Sequence, residues 1–278
     1  MLKHELLFPK LGISFEFSNV AFSIFGLDIY WYGIIVMCAM IVALCYVFLR
    51  AKRFNINADA LTSIITLAIV GGVVGARLYY IIFNHKNIHT FFEAINIRNG
   101  GIAIYGGLIG GSLALAVAAR AKNVKLLPLL DLMAGGVMIA QAIGRWGNFF
   151  NMEAFGYNTN LPWGMTSLPI KRMLGALQAT GIGVNPDLPV HPCFLYESVW
   201  CLLGFIFITT YSKHKKFDGE LFAIYVLWYS FGRFFIEGLR TDSLMLGSFR
   251  ISQVVSLLLF MCAGVMLWYK NRKAKQGS

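Results

Sequence analysis

The feature that most constrains this chain is a succession of apolar stretches, each long enough to cross a bilayer, separated by polar connections. A hydrocarbon core needs about 20 mainly apolar residues per helix. Seven segments meet that need, at about 29–49, 61–83, 102–119, 127–144, 195–211, 220–237 and 251–269. No water is present there to satisfy backbone N–H and C=O groups, so each segment must be helical. Of the 278 residues, 58% are hydrophobic and 13% charged, too few charges for a large soluble domain. The expected fold class is an all-α polytopic membrane protein, a single transmembrane domain over residues 1–278.

Charge in the connections sets the expected orientation. Arg50, Lys52 and Arg53, then Arg120, Lys122 and Lys125, then Lys213, Lys215 and Lys216, then Lys270, Arg272, Lys273 and Lys275 occupy alternate connections. The positive-inside rule puts these clusters in the cytoplasm, with the N-terminus outside and the C-terminus inside. An odd number of spans follows, which seven satisfies. Most of the net charge of +11 is then a topology signal facing anionic headgroups, not a nucleic-acid footprint. Glu5, Pro9 and Glu16 interrupt any secretory signal core, so the first span is expected to be retained. The segment 145–194, rich in proline and aromatics, is expected to form a small extracytoplasmic cap between spans four and five.

Ionisable residues inside a membrane cost about 2.5–3.5 kcal/mol each on insertion scales, so each is a candidate for function. The first set is the run Gly144-Arg145-Trp146-Gly147-Asn148-Phe149-Phe150-Asn151-Met152-Glu153-Ala154-Phe155-Gly156. If helix persists, Arg145 and Asn148 share a face with Glu153 further round, and Glu153 could neutralise Arg145. The second set is Tyr229, Arg233, Glu237 and Arg240, one stripe on a helix. Two arginines against one carboxylate there leave spare positive charge, which suits an anionic ligand. The third is the glycine run around Tyr105. Gly106, Gly107, Gly110 and Gly111 serve either close helix packing or backbone approach to a substrate. Smaller signals are Trp31-Tyr32-Gly33, Arg77 with Tyr80, and the run His191 to Glu197. Arg77 is expected to face the bundle interior, with Glu197 as its partner or as an orienting carboxylate. Of the five cysteines none forms a C-x-x-C pair; Cys193 beside His191 is at most a thin signal for a nucleophile or ligand. These polar groups gather at the outer ends of the spans, which favours a site for a phosphate-bearing lipid over a transport pathway or a lipid-binding scaffold.

The signature Gly144-Arg145-x-Gly147-Asn148-Phe149-x-Asn151-x-Glu153-x-x-Gly156 resembles that of the bacterial prolipoprotein diacylglyceryl transferases. The resemblance extends along the chain through Tyr32, the glycine run, His191-Pro192 to Glu197, and Tyr229 to Glu237. It implies a transferase of the bacterial cell membrane with its site toward the outer leaflet. The diacylglyceryl group of phosphatidylglycerol would pass to the lipobox cysteine of a preprolipoprotein, leaving glycerol phosphate. Its partners would be that lipid, preprolipoprotein signal peptides and the surrounding membrane lipids, with no metal, other cofactor or nucleic acid; nothing in the sequence sets the oligomeric state. By the same resemblance Arg145 and Arg233 bind and polarise the phosphate, and Glu153 and Glu237 fix the arginines. Asn148 and Asn151 orient headgroup oxygens while Tyr32 and Tyr229 line the site. Arg77, Gly106, Gly107 and Gly156 complete the expected lipid-binding set.

One position departs from the pattern. Many relatives carry a histidine before the second glycine pair, proposed as the base, where this chain has Tyr105. Tyrosine, with a pKa of about 10, is a poor base near neutrality. Either Tyr105 works as a phenolate, or it only hydrogen-bonds while a carboxylate takes the proton, or the thiol ionises unaided in a positive pocket. The second is the preferred expectation.

Overall fold

A computed structural model describes residues 4–85, 90–96, 100–247 and 249–276. The chain divides into two compact units, one formed by Met1–Tyr46 with Met133–Ser278, the other by Val47–Leu132.

The first unit begins with short strands that hydropathy does not reveal. β1 (His4–Phe8) and β2 (Ile13–Phe17) form an antiparallel hairpin, and β1 also pairs with β5 (Thr166–Ser167), giving the order β2-β1-β5. β3 (Val20–Ile24) and β4 (Leu27–Tyr30) form a second hairpin, turned by Phe25 and Gly26 at φ 49° and 79°. Positive φ at both central residues is the two-residue turn that matches strand twist. The long helices are α1 (Trp31–Arg50), α5 (Leu126–Asn151), α7 (Cys193–Tyr211), α8 (Glu220–Leu239) and α9 (Ile251–Gln276). Between α5 and α7 lies α6 (Leu168–Ala179), started by Ser167 Oγ accepting from the Ile170 N–H at 3.2 Å and by Pro169 in its first turn. Leu6, Met152, Phe155, Met165, Ile170, Leu174, Val190 and Phe194 pack into one buried cluster, so the first strand belongs to the same core as α6. A last hairpin, β6 (Met245–Leu246) with β7 (Phe249–Arg250), leads into α9.

The second unit holds α2 (Ala58–Phe83), the short α3 (Phe91–Ile95), α4 (Ile104–Ala121) and the first turns of α5. α2 and α4 interlock through glycine: a side chain on Gly75 would lie 2.8 Å from Gly110 Cα, and one on Gly110 would meet Gly75 in return. Such close approach is how helices pack where apolar burial gives little drive.

Among the described residues, six helical segments, built on α1, α2, α4, α5, α7 and α9, are long and apolar enough to cross a membrane. α8 has 20 residues, as many as α1, but carries Glu220, Arg233 and Glu237. Outward faces of α1 and α9 expose Met37, Met40, Ile41, Leu258 and Val265, apolar surface that water would penalise and lipid accepts. The chain is a mostly helical, multi-pass membrane protein. α5 runs seven residues beyond the expected end of the fourth span, so most of the polar signature is helical.

Candidate active site

Two locks decide which polar groups meet. Between α7 and α8, Trp200 donates its indole N–H to the Trp228 carbonyl at 2.9 Å, and Trp228 donates to the Trp200 carbonyl at 3.0 Å. The rings stack 4.7 Å apart. Each fills the space a side chain would take, Trp200 at Gly232 and Trp228 at Gly204. Between α7 and α5, Ser198 Oγ donates to the Ala142 carbonyl at 2.7 Å and accepts from Trp146 Nε1 at 3.1 Å. Glu197 directly precedes Ser198 and stands one turn before Trp200, so both locks fix it.

Glu197 is thereby placed between two arginines. Its Oε1 accepts from Arg233 Nη1 at 2.5 Å, and its Oε2 lies 2.9 Å from Arg145 Nε. Arg233 Nη2 lies 2.6 Å from Glu237 Oε2, one turn along α8. The carboxylates are 3% and 2% exposed, whereas Arg145 and Arg233 retain 21% and 16%. Two arginines thus face two carboxylates, one of the carboxylates supplied by α7. Arg145 engages Glu197 through Nε alone; its Nη groups make no hydrogen bond among the described residues. That leaves a preorganised guanidinium edge for an anion, held by a buried partner.

Glu153 does not fix an arginine. Its Oε1 accepts from Asn148 Nδ2 at 2.9 Å and Asn151 Nδ2 at 3.2 Å. The backbone dictates this. The Met152 N–H reaches the Phe149 carbonyl and the Glu153 N–H the Asn148 carbonyl, both at 3.1 Å. This is the helix-ending motif that normally places glycine at the left-handed position. Here Met152 takes φ 53°, and Ala154 follows at φ 57°. Such conformations cost a non-glycine residue about 1–2 kcal/mol. The buried Met152 side chain, 4% exposed within the core shared with Leu6 and Phe194, offsets that cost.

Asn151 and Glu153 line a cavity of about 820 Å³ together with Asn19, Asp28, Tyr30 and Tyr32. The Tyr32 ring lies over Gly147, where a side chain would come within 2.8 Å of its Cδ2. Trp31 stacks on Phe150 at 5.3 Å beside it. Asp28 Oδ1 accepts from Ser23 Oγ at 2.5 Å across the β3–β4 hairpin.

Other expected residues fall elsewhere. α8 ends at Leu239, so Arg240 leaves the stripe and forms a two-pronged pair with Asp242, at 2.9 and 2.8 Å. Burial would raise the Asp242 carboxyl, but the hydrogen bonds and charge of Arg240 outweigh it and hold it below its ordinary value. Tyr229 stacks on Tyr225 at 6.1 Å, one turn before Arg233. Gly156 is explained by packing, because a side chain there would lie 2.7–2.9 Å from the Leu239 carbonyl, Cys193 Sγ and His191 Cβ. His191 Nδ1 meets the Tyr196 hydroxyl at 3.1 Å, which also accepts from Trp163 Nε1 at 2.7 Å. Burial lowers the His191 pKa, which keeps the ring neutral near pH 7. In the second unit Arg77 is held by backbone carbonyls and by an aromatic ring. It donates to the carbonyls of Gly100 (3.1 Å), Gly101 (2.7 Å) and Glu93, and lies over the Tyr80 ring at 5.2 Å. Gly106 is buried against Gly75 and Tyr79 of α2, so helix packing accounts for it. Gly107 has ordinary room beside Ala76, and Tyr105, in the first turn of α4, is 54% exposed. Glu197 and Asp28 are the site residues that sequence reasoning undervalued. For Glu197 the signal was there, an acid inside an apolar span.

The match to the family model described as prolipoprotein diacylglyceryl transferase covers residues 19–269. A phosphatidylglycerol–prolipoprotein diacylglyceryl transferase of Clostridioides difficile is 45% identical over 242 residues, 87% of this chain and 90% of the relative. One of Finegoldia magna is 42% identical over 261 residues, 92% and 96% of the two chains, and one of Clostridium novyi is 41% identical over 259 residues, 91% and 96%. Matched along most of its length by the family model and by these relatives, the chain belongs to the prolipoprotein diacylglyceryl transferase family.

Proposed function

We propose that this protein transfers the diacylglyceryl group of phosphatidylglycerol to a prolipoprotein, onto the thiol of the lipobox cysteine. The observation that carries the reading is the buried Arg145–Glu197–Arg233–Glu237 cluster. It presents the unused amino groups of Arg145, on the same helix end as a polar cavity. The substrate thiolate attacks the glyceryl carbon that bears the phosphate ester. The carbon–oxygen bond breaks, a thioether forms, and glycerol phosphate leaves with the electron pair. Charge grows on the departing phosphate, where fixed guanidinium donors in a low-dielectric site are most effective.

In this reading α8 is a seventh span, its acids screened by the arginines and by Tyr211, whose hydroxyl donates to Glu220 Oε1 at 2.9 Å. The basic connections face the cytoplasm. The arginine cluster then stands at the outer leaflet of the bacterial cell membrane, with residues 145–194 forming the helix end and the cap above it. Tyr32 and Tyr229 line the lipid site.

The test combines purified protein, phosphatidylglycerol vesicles and a lipobox peptide, scored by mass for the thioether adduct. Adduct from the parent protein and none from Arg145→Ala or Arg233→Ala is the expected result. No adduct from the parent, while a reference relative works, would refute the reading.

A further inference from the structure

At the helix end beneath the cavity Glu153 keeps one carboxylate oxygen uncommitted. Glu153 Oε1 is held by both asparagine amides, while Oε2 makes no hydrogen bond among the described residues. The group lines the cavity of about 820 Å³ with Tyr32 and Asn151. Two other acids nearby are engaged by arginines, and a third through one oxygen. Glu197 and Glu237 are buried in ion pairs, and Asp28 Oδ1 is bonded to Ser23 on an exposed hairpin. Two non-glycine departures into left-handed backbone, at Met152 and Ala154, flank Glu153. Strain of that kind persists where surrounding structure over-determines it, and it clusters at working sites. Here it turns the side chain back onto Asn148, three residues from Arg145 on the same helix.

We propose that Glu153 is the proton acceptor for the substrate thiol, with its Oε2 as the accepting atom. This rests on the transfer reaction proposed above. The thiol proton passes to Oε2, and the sulfur lone pair forms the bond to the glyceryl carbon. The carbon–oxygen electron pair leaves with glycerol phosphate, and the proton passes from Glu153 to that phosphate or to water. Asn148 and Asn151 are positioning residues, because their amides fix Oε1 and so aim Oε2. Tyr105 is then not required as a base.

The experiment compares the parent, Glu153→Gln and Asp28→Asn with phosphatidylglycerol vesicles and two peptides, one carrying cysteine and one selenocysteine at the lipobox position. A selenol is already ionised at neutral pH and needs no base. Glu153→Gln is expected to lose about 10²-fold or more with the thiol peptide. It should recover most of that loss with the selenol peptide, at an unchanged KM for lipid. Equal loss with both peptides, or the rescue pattern in Asp28→Asn instead, would overturn the assignment. If Glu153→Gln unfolds, judged by its melting curve, Glu153→Asp replaces it: a thiol-selective loss supports the assignment and an equal loss overturns it. Absence of adduct from the parent is a different result, which strikes the transfer reaction itself.

Discussion

Replacing Glu197 by Gln removes one charge from the middle of the arginine cluster while keeping its shape. Two arginines then face Glu237 alone, at the end of contacts of 2.9, 2.5 and 2.6 Å. Removing one partner of a buried pair costs about 3–5 kcal/mol, because the remaining charge is desolvated without compensation. Arg145 and Arg233 keep 21% and 16% of their exposure, so water relieves part of this and the lower end, about 3 kcal/mol, is expected. For a chain of this size that lowers the melting temperature by about 6–12 °C, read by tryptophan fluorescence in detergent. Transfer should fall about 10²-fold, since a displaced guanidinium no longer meets the phosphate in register. KM for lipid should not rise, because the cluster gains net positive charge. In the double variant Arg145→Gln with Glu197→Gln, part of the lost stability should return, as both ends of one pair are gone. A Glu197→Gln protein melting within about 2 °C of the parent would refute the reasoning. So would a double variant no more stable than the single one.

Gly147→Ala should push the Tyr32 ring off α5 and cut transfer at least tenfold, while the melting curve moves by less than that of Glu197→Gln; an unchanged rate would show that the ring position is irrelevant. Ala154→Gly removes one left-handed strain and should stabilise by about 0.5–1 kcal/mol in the same melt, whereas Ala154→Val should destabilise. Gly75→Leu should destabilise by about 1–3 kcal/mol or more, since α2 and α4 cannot separate to admit it, with loss of helical signal at lower temperature as the readout. The folded Asp242 carboxyl lies below its ordinary value of 3.8. Its contribution is therefore present above that pH and lost as pH falls through the lower folded value. Asp242→Asn should flatten the acid side of the stability profile without touching the alkaline side.

The helices were legible because apolar length is a one-dimensional property, and α1, α2, α4, α7 and α8 start and stop near the residues that hydropathy marks, while α9 runs on to Gln276. Fixed polar positions in the signature marked Arg145, Asn148 and Glu153 as belonging together. What they do to each other was not legible. Glu197 lies 52 residues from Arg145 and 36 from Arg233, and only the indole and serine locks show that it stands between them. Glu153 was read as an arginine partner because opposite charges at short spacing invite it. The left-handed step at Met152, where glycine is usual, carries the chain off the helix and turns the acid to the asparagines. Arg240 was placed on a helical face that ends one residue before it. The amino-terminal strands escaped because five-residue strands give no hydropathy signal. Phe25-Gly26 between apolar runs and Lys10-Leu11-Gly12 before Ile13 were the available turn signals.

The pairing of β1 with β5 bears on how the chain is made. Leu6, 1% exposed, sits opposite Ser167, so β1 meets its second neighbour only after some 160 further residues have been made. At about 5–20 residues per second that is a wait of roughly 10–30 s. During it four apolar helices must be inserted while β1 stays unpaired on one edge. The core around Leu6 closes only once β5, α6 and Phe194 have been made, and an amino-terminal fusion that delays or blocks β1 would be felt at Met152 and the helix end it anchors.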